Sequence, residues 1–269
     1  MTLASEIGAP DDPRVDDFRH LTDQRYRRAL EGDEFLIAEG PLSIDRLLDS
    51  SLALRALLCS PKRLDRHCDM IDEFNGRGGQ CFVAAPSVLE AIVGFDLHRG
   101  VVASARRPPT PTLDSVLAHA QTIALVEGIN DPENLGAIAR AARALFVDAL
   151  VLDPTCTDPF TRRNVRVSMG EVLHLPITRV TEWEDLPGRC ADAGFELWAL
   201  TPDATADNLW TLDQPQRVAL AVGAEGPGLS DGLRRAAARQ VQIPIADDVD
   251  SLNVGHAAAI AFAAVARRR

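Results

Sequence analysis

Short apolar runs alternate with apolar residues at helical spacing along most of this 269-residue chain. A short apolar run is typical of a buried strand, whereas apolar residues that recur three and four positions apart are typical of a helix. The first series of such segments predicts a small α/β module over residues 18–106. Within it the pattern predicts helices over 18–30, 42–50 and 86–92, and strands over 35–38, 55–59, 81–84 and 100–105.

A second series of strand-like and helix-like segments fills the rest of the chain. Because helical patterns separate its strands, this series predicts a mainly parallel sheet. The predicted strands cover residues 122–126, 149–152, 197–200, 218–222 and 241–245.

A proline-rich segment at 108–111 predicts the main domain boundary, because prolines this dense fit neither a helix nor a central strand. The acidic N-terminal segment also contains prolines and is typical of a flexible region. The predicted organisation is a flexible lead-in at 1–17, a first domain at 18–106, a linker at 107–115 and a second domain at 116–269.

The composition argues against several classes of protein. No apolar run is long enough to span a bilayer, and the N-terminus lacks the basic and apolar regions of a secretion signal, which predicts a cytoplasmic protein. The cysteines are odd in number and widely spaced, which argues against a disulfide framework or a zinc site, and no metal is expected. They are Cys59, Cys68, Cys81, Cys156 and Cys190.

The formal net charge of −11 does not favour binding to nucleic acid as a whole. Only the field at the contact surface acts on a phosphate, however, and arginine side chains are concentrated in two places. Each concentration is a candidate RNA contact, and the alternative for each is a solvated helix face. The two groups are Arg25 with Arg28, and Arg162 with Arg163 and Arg166.

Three polar segments, at 130–143, 218–230 and 241–259, each contain or follow a predicted strand of the second series. Ligands of α/β proteins bind outside the carboxyl ends of parallel strands. We therefore expect these three segments to form one shared pocket.

The first segment contains the start of a helix. Asp131 suits the N-cap and Pro132 suits the first helical position. Asn134 and Arg140 lie six positions apart and do not share a helix face, so they line one pocket only if Asn134 sits in the first turn. The alternative is a capped surface helix with a solvated arginine.

The second and third segments have different characters. Gly223, Gly226 and Gly228 surround Glu225 and predict a tight loop whose backbone approaches a ligand, although a plain turn is the alternative. Its spacing is neither the dinucleotide fingerprint nor a phosphate loop, which disfavours a nucleotide-binding oxidoreductase. In the third segment, Ser251 is expected to cap the helix that follows.

Taken in order, the three segments resemble motifs 1, 2 and 3 of the SpoU-type (TrmH-like) RNA ribose 2′-O-methyltransferases of the SPOUT superfamily. The resemblance covers roughly residues 120–269. It implies catalytic roles for Asn134, Arg140, Glu225, Ser251 and Asn253. It implies cofactor-binding roles for Val222, Gly223, Gly226, Gly228, Ile243, Pro244 and Leu252.

The resemblance also implies a fold and partners. It implies a mainly parallel α/β sheet with a deep trefoil knot, an exception to the usual absence of knots. It implies S-adenosylmethionine as cofactor, structured RNA as substrate and a homodimer. Residues 18–106 resemble the small α/β RNA-binding domain often attached to such enzymes, which favours ribosomal over transfer RNA. The alternatives are a transfer RNA 2′-O-methyltransferase and a non-catalytic RNA-binding or ribosome-assembly factor on the same scaffold.

Four positions depart from the family pattern. Gly255 and His256 stand where the family commonly has Ser and Val. Asp247 stands where a glycine is frequent, and Phe146 occupies a position often held by glycine. At these positions the family pattern does not predict the local geometry of the loops and helices around the motifs.

Overall fold

The computed structural model describes residues 4–97, 100–246 and 248–266, apart from the side chains of Gln24 and Arg28. The strands are β1 (Ser5–Ile7), β2 (Phe35–Glu39), β3 (Leu54–Cys59), β4 (Gln80–Ala84), β5 (Val101–Arg106), β6 (Thr122–Glu127), β7 (Ala149–Leu152), β8 (Ile177–Arg179), β9 (Glu196–Leu200), β10 (Asp207–Asn208), β11 (Val218–Gly223) and β12 (Arg239–Gln242). The α-helices are α1 (Gln24–Glu31), α2 (Pro41–Leu48), α3 (Pro61–Arg66), α4 (Cys68–Gly76), α5 (Pro86–Val93), α6 (Leu113–His119), α7 (Pro132–Ala144), α8 (Arg162–Val167), α9 (Leu186–Asp192), α10 (Asp231–Ala236) and α11 (Val254–Val265). Short 3-10 helices occur at Pro13–Phe18, Glu171–His174, Trp183–Asp185 and Leu209–Thr211.

The chain divides into two compact units. Unit 1 extends to Pro108 and also includes Phe160–Leu173, and unit 2 contains Pro109–Pro159 and the chain from His174 onward. The first break lies inside the linker predicted at 107–115. The second domain predicted at 116–269 is not continuous, because the segment Phe160–Leu173 packs with unit 1.

Unit 1 contains a mixed sheet with the strand order β1-β4-β3-β5-β2, in which β5 runs antiparallel to β2 and β3. The prediction of a flexible lead-in at 1–17 is wrong for residues 4–17, the part that the structure describes. Ser5 pairs with Phe82 of β4, and Val15 is completely buried. Asp17 accepts hydrogen bonds from the side chains of Arg55 and Ser104. A few apolar residues and the half-buried Asp17 carboxylate therefore attach this acidic segment to the sheet.

The single helix predicted over 18–30 is also wrong. The chain forms a 3-10 helix that ends at Phe18, turns through His20 in the left-handed region (φ 48°), and then enters α1. The Asp23 carboxylate accepts the backbone N–H groups of Arg25 and Tyr26, both at 3.0 Å. A side chain that satisfies these otherwise unpaired donors favours a new helix start at this point.

Side-chain pairing attaches α8 to unit 1. Glu39, at the end of β2, is only 4% exposed and forms ion pairs with Arg162 and Arg166 of α8. Arg46 of α2 pairs with Glu171 at 2.7 Å. Ion pairs with β2 and α2 therefore hold this segment within unit 1.

Unit 2 contains a sheet with the order β10-β12-β9-β11-β6-β7-β8, and every pairing in it is parallel. The prediction of a mainly parallel sheet is confirmed. The strands β8 and β10 were not predicted, because three and two residues leave little periodicity. The strand predicted over 241–245 ends at Gln242, since Pro244 lacks the N–H group that would continue a ladder. Among the helices that the structure describes, none has the length and hydropathy that a bilayer-spanning segment requires.

Candidate active site

The strand order of unit 2 brings the three polar segments to one edge of its sheet. The segments follow β6, β11 and β12, and the order β12-β9-β11-β6 keeps these strands close together. Because all of them are parallel, their carboxyl ends meet at the same edge. This is the place where open α/β sheets bind ligands.

The first segment starts α7 as its sequence predicts. Asp131 is the N-cap and accepts the backbone N–H of Glu133 at 2.9 Å, and Pro132 opens the helix. Asn134 therefore lies in the first turn and is half-buried. Its side chain is held at the end of the helix that faces the loops after β11 and β12.

The glycine-rich loop, residues 224–230, follows β11 and depends on glycine for its shape. A Cβ at Gly223 would lie 2.3 Å from the carbonyl carbon of Gly228, so no larger residue fits there. The Gly228 N–H donates to the Ala224 carbonyl at 2.9 Å, which closes the loop. Gly226 and Gly228 have φ values of 88° and 68°, in the region that favours glycine. The tight turn leaves Glu225 near the tip.

Asn134, Glu225 and Asn253 form a hydrogen-bonded group that we call the amide–carboxylate cluster. The Asn253 Nδ2 group donates to Glu225 Oε1 at 2.7 Å and to Asn134 Oδ1 at 2.8 Å. The Asn134 Nδ2 group donates to Glu225 Oε1 at 3.2 Å. One carboxylate thus connects the start of α7, the glycine-rich loop and the start of α11.

Asn253 has a second role that sequence reasoning assigned to another residue. It is the N-cap of α11, where its Oδ1 accepts the backbone N–H groups of Gly255 at 3.0 Å and His256 at 3.3 Å. The prediction that Ser251 caps this helix is wrong. A helix capped by Ser251 would begin at residue 252, whereas α11 begins at Val254. Ser251 is exposed beside the cluster in sequence, and its catalytic role stays a prediction.

The structure does not bring Arg140 into the amide–carboxylate cluster. Arg140 lies six residues along α7 from Asn134 and is exposed. Six residues span about 1.7 helical turns, so the two side chains point in different directions from the helix axis. The Arg140 guanidinium is therefore accessible to a ligand that extends beyond the cluster.

The predicted cofactor-binding residues lie at the carboxyl ends of β11 and β12. The Val222 side chain is buried in the sheet, so only its backbone can face a ligand. Ile243 and Leu252 are half-buried, and Pro244, Gly226 and Gly228 are exposed. A Cβ at Gly226 or Gly228 would meet nothing within 4 Å, which leaves open space beside the loop backbone.

Sequence reasoning missed the loop that follows β9. This strand lies between β11 and β12, so the residues after it enter the same edge of the sheet. The Thr201 N–H donates to the Val241 carbonyl at 2.9 Å, and the Thr201 hydroxyl accepts the Asp203 N–H at 3.2 Å. The polar residues that follow a buried strand could have indicated this loop. Its closeness to the site depends on the strand order, which the sequence does not reveal.

The two predicted arginine groups differ in their surroundings. Arg162 is half-buried against Glu39, and burial lowers the pKa of its guanidinium while the Glu39 carboxylate opposes that shift. Arg166 lies 3.5 Å from the same carboxylate, whereas Arg163 is exposed. Arg25 is exposed, and the side chain of Arg28 lies outside the described residues.

The departures from the family pattern have local structural counterparts. Phe146 has a φ of 60° and is 47% exposed, so it adopts the backbone conformation for which a glycine would be favoured. A Cβ at Gly255 would lie 3.0 Å from the Ala137 Cβ, which indicates how closely α11 packs on α7. His256 is exposed, and Asp247 lies outside the described residues.

Similarity to known proteins agrees with this geometry. The model of the SpoU rRNA methylase family matches residues 121–263. An uncharacterized tRNA/rRNA methyltransferase of Mycobacterium bovis is 43% identical over 261 residues, which cover 96% of this chain and 90% of the relative.

Two solved structures resemble nearly the whole chain. The AdoMet-bound rRNA methyltransferase from Sinorhizobium meliloti is 28% identical, with a TM-score of 0.80 and 97% of each chain covered. A crystallised RNA 2′-O ribose methyltransferase is 26% identical, with a TM-score of 0.78 and again 97% of each chain covered. The mainly parallel α/β fold is thus that of these enzymes. From its sequence match and its fold, the chain belongs to the SpoU rRNA methylase family.

Proposed function

We propose that this protein transfers a methyl group from S-adenosylmethionine to a ribose 2′-hydroxyl of structured RNA, and that the substrate is ribosomal RNA. The observation that carries the proposal is the amide–carboxylate cluster, in which Glu225 joins Asn134 and Asn253 at the carboxyl edge of a parallel sheet. The similarity to an RNA 2′-O ribose methyltransferase supports the reaction type.

The residues at this edge suit a nucleoside cofactor. The backbone around Gly226 and Gly228 borders open space, and Ile243 and Leu252 add half-buried apolar surface. We assign the cofactor to these residues together with Val222, Gly223 and Pro244. When bound, S-adenosylmethionine supplies the electrophilic methyl group for transfer. The AdoMet-bound state of the Sinorhizobium meliloti enzyme supports this assignment.

The chain has to orient the RNA and accommodate the charge that develops on it. A ribose hydroxyl is a poor nucleophile until its proton leaves, and an arginine guanidinium scarcely deprotonates in proteins. We therefore assign Arg140 to an adjacent RNA phosphate, where its planar fork also stabilises the developing alkoxide. Glu225 and Asn253 hold the loops in register and orient the hydroxyl. We propose a catalytic role for Ser251 as well, which is exposed and lies two residues before Asn253 in the sequence. Holding both reactants in place supplies much of the rate.

RNA is selected over DNA because only RNA has the 2′-hydroxyl. The match to a ribosomal RNA methyltransferase covers both units of the chain, which favours ribosomal over transfer RNA. We propose that unit 1 supplies RNA affinity, with exposed arginines such as Arg25 and Arg163 as phosphate contacts. We also propose a homodimer, a deep trefoil knot near the C-terminus and action in the cytoplasm.

The experiment uses the purified full-length protein with radiolabelled S-adenosylmethionine. The substrates are separate preparations of ribosomal and transfer RNA from a strain that lacks the gene. We expect incorporation into ribosomal RNA, and mass spectrometry of the digested RNA should identify 2′-O-methyl nucleosides. Methylated bases without ribose methylation would contradict the reaction type.

The same measurements test the rival role as a non-catalytic assembly factor. Binding of RNA without methyl incorporation into any RNA fraction would favour that role. Incorporation into transfer RNA alone would contradict the substrate class and leave the reaction type intact.

A further inference from the structure

Glu127, the last residue of β6, is half-buried and has no role in the motifs of the sequence. Its carboxylate accepts two hydrogen bonds from different parts of unit 2. Oε1 accepts the indole N–H of Trp183 at 2.7 Å, and Oε2 accepts the backbone N–H of Ser230 at 2.7 Å. Ser230 ends the glycine-rich loop and caps α10.

The residue after Glu127 contacts the other end of the same loop. Gly128 has a φ of 72°, and a Cβ at this position would lie 3.3 Å from the Cβ of Ala224. In the pairing of β6 with β11, Glu127 is the partner of Gly223. Both ends of the glycine-rich loop therefore rest on the carboxyl end of β6, while Glu225 between them joins the amide–carboxylate cluster.

We propose that Glu127 is a positioning residue for the cofactor site. It holds the end of the glycine-rich loop at Ser230, so that the loop backbone and Glu225 keep the arrangement that binds S-adenosylmethionine. The inference rests on the proposed function for the identity of the ligand, but the restraint on the loop is independent of it.

Glu127→Gln tests the restraint with little change of shape. One carboxylate oxygen becomes an NH₂ group, which can donate but cannot accept a hydrogen bond. Either the Ser230 N–H or the Trp183 indole N–H then faces another donor. If the amide oxygen of the variant faces Trp183, the bond to Ser230 is lost. If it faces Ser230, the indole that holds the side chain in place is lost, so the attachment of the loop weakens in either case.

Glu196→Gln is a matched control in the same sheet. Glu196 begins β9, at the opposite end of a strand from the site, and its Oε1 accepts the indole N–H of Trp198 at 2.8 Å and the Arg239 guanidinium at 2.9 Å. Both substitutions neutralise a carboxylate that accepts an indole N–H and a second donor. The two donors of Glu196 share one oxygen, which the amide of Glu196→Gln retains, so this variant controls for the loss of charge next to an indole. Only Glu127 contacts the glycine-rich loop.

The first measurement is the Kd of S-adenosylmethionine for the full-length wild type, Glu127→Gln and Glu196→Gln, by calorimetry. We expect Glu127→Gln to weaken binding about tenfold, the usual consequence of losing a hydrogen bond to a charged group. Glu196→Gln should keep the wild-type Kd even if its melting temperature falls as much as that of Glu127→Gln. In turnover assays, Glu127→Gln should raise the KM for S-adenosylmethionine and leave the KM for RNA unchanged.

The second measurement is hydrogen exchange without cofactor, which follows the amides of residues 224–230. We expect faster exchange in Glu127→Gln than in either wild type or Glu196→Gln. Unchanged exchange in Glu127→Gln would overturn the inference, as would a wild-type Kd for that variant or an equal loss of affinity in Glu196→Gln. If the wild type bound no S-adenosylmethionine, the proposed function would fail, while the exchange measurement would still decide the role of Glu127 in the loop.

Discussion

At the scale of single residues, the site combines two kinds of side chain. Asn134, Glu225 and Asn253 are held by one another, whereas Arg140 stands apart and is exposed. A group that is fixed before the ligand arrives suits orientation, and a group that reaches into solvent suits contact with RNA. The predictions for individual residues follow from this division.

Arg140→Ala should lower kcat for methyl transfer by about 100-fold or more, the usual cost of removing a group that stabilises developing charge. The Kd of S-adenosylmethionine should stay within a few-fold of wild type, because Arg140 is not among the residues assigned to the cofactor. Arg140→Lys should also fail, since lysine lacks the planar fork. Arg143→Ala, on the same helix, is the control that should stay active. Near-normal turnover by Arg140→Lys would indicate a simple role for positive charge.

Substitutions of Asn253 separate its capping role from its role in the cluster. Asn253→Ser keeps an oxygen that can cap α11 but has no amide to reach Glu225, whereas Asn253→Ala loses both functions. Loss of an N-cap costs about 1 kcal/mol, so only Asn253→Ala should lower the free energy of unfolding by that amount. Both variants should lose most methyl transfer. Urea unfolding and incorporation assays measure the two effects, and full activity of Asn253→Ser would show that the cluster is dispensable.

The cysteines should react in two classes. Burial raises the pKa of the Cys59, Cys81 and Cys156 thiols to about 12 and that of Cys190 to about 11, so these thiols stay protonated near neutral pH. Cys68 is exposed. Titration of the native protein with a thiol reagent at pH 8 should therefore show one fast thiol, and unfolding should release the other four. A second fast thiol, or retained fast reaction after Cys68→Ser, would contradict the burial of the rest.

At the scale of elements, α8 depends on a strand far from it in sequence. Glu39 of β2 is 4% exposed and pairs with both Arg162 and Arg166. Removal of one partner from a buried ion pair leaves the other charge uncompensated. From the sequence these arginines are candidate RNA contacts, with a solvated helix face as the alternative, and the ion pairs show that part of their charge is used within unit 1.

Glu39→Ala should lower the free energy of unfolding by about 3 kcal/mol, the lower end for a broken buried pair, because Arg162 keeps some exposure. Asp114→Ala is the control. It breaks the ion pair with Arg189, in which the Asp114 carboxylate is largely exposed. Exposed pairs contribute little. Thermal and urea unfolding measure both variants. Equal effects of the two substitutions would contradict the structural role of Glu39.

At the scale of the whole molecule, α11 explains why a second copy is expected. Ala258, Ala261, Phe262 and Val265 are buried, and the opposite side still carries apolar residues such as Ile260 and Ala263. A helix that is apolar around its circumference requires cover on more than one side. A self-complementary two-fold interface between identical chains supplies such cover.

Ala263→Glu should convert a dimer into inactive monomers, because it places a charge on the exposed side of α11. Light scattering at micromolar concentration should give twice the mass of one chain for the wild type. Ala191→Glu, at an exposed position of α9, is the control that should remain dimeric and active. A fully active wild-type monomer would defeat both the interface and a site that depends on it.

Much of the framework could be predicted from the sequence because it depends on local patterns. Apolar runs located the central strands of unit 2, and their alternation with helices indicated parallel pairing. Asp131 and Pro132 marked the start of α7 correctly, since capping involves only neighbouring residues. Local signals failed where short elements or distant partners decide, as in the strand β1 and the interrupted helix over 18–30.

By itself, the sequence determined the fold class, the three polar segments and the identity of the residues in them. Only the tertiary structure decided which of these residues meet. Asn134 and Asn253 are 119 positions apart, yet their side chains lie 2.8 Å from each other because the strand order brings their loops together. The attachment of Phe160–Leu173 to unit 1 and the role inferred for Glu127 were likewise set by distant partners. A local pattern specifies how a segment folds, but the contacts of a charged or amide group depend on which segments become its neighbours.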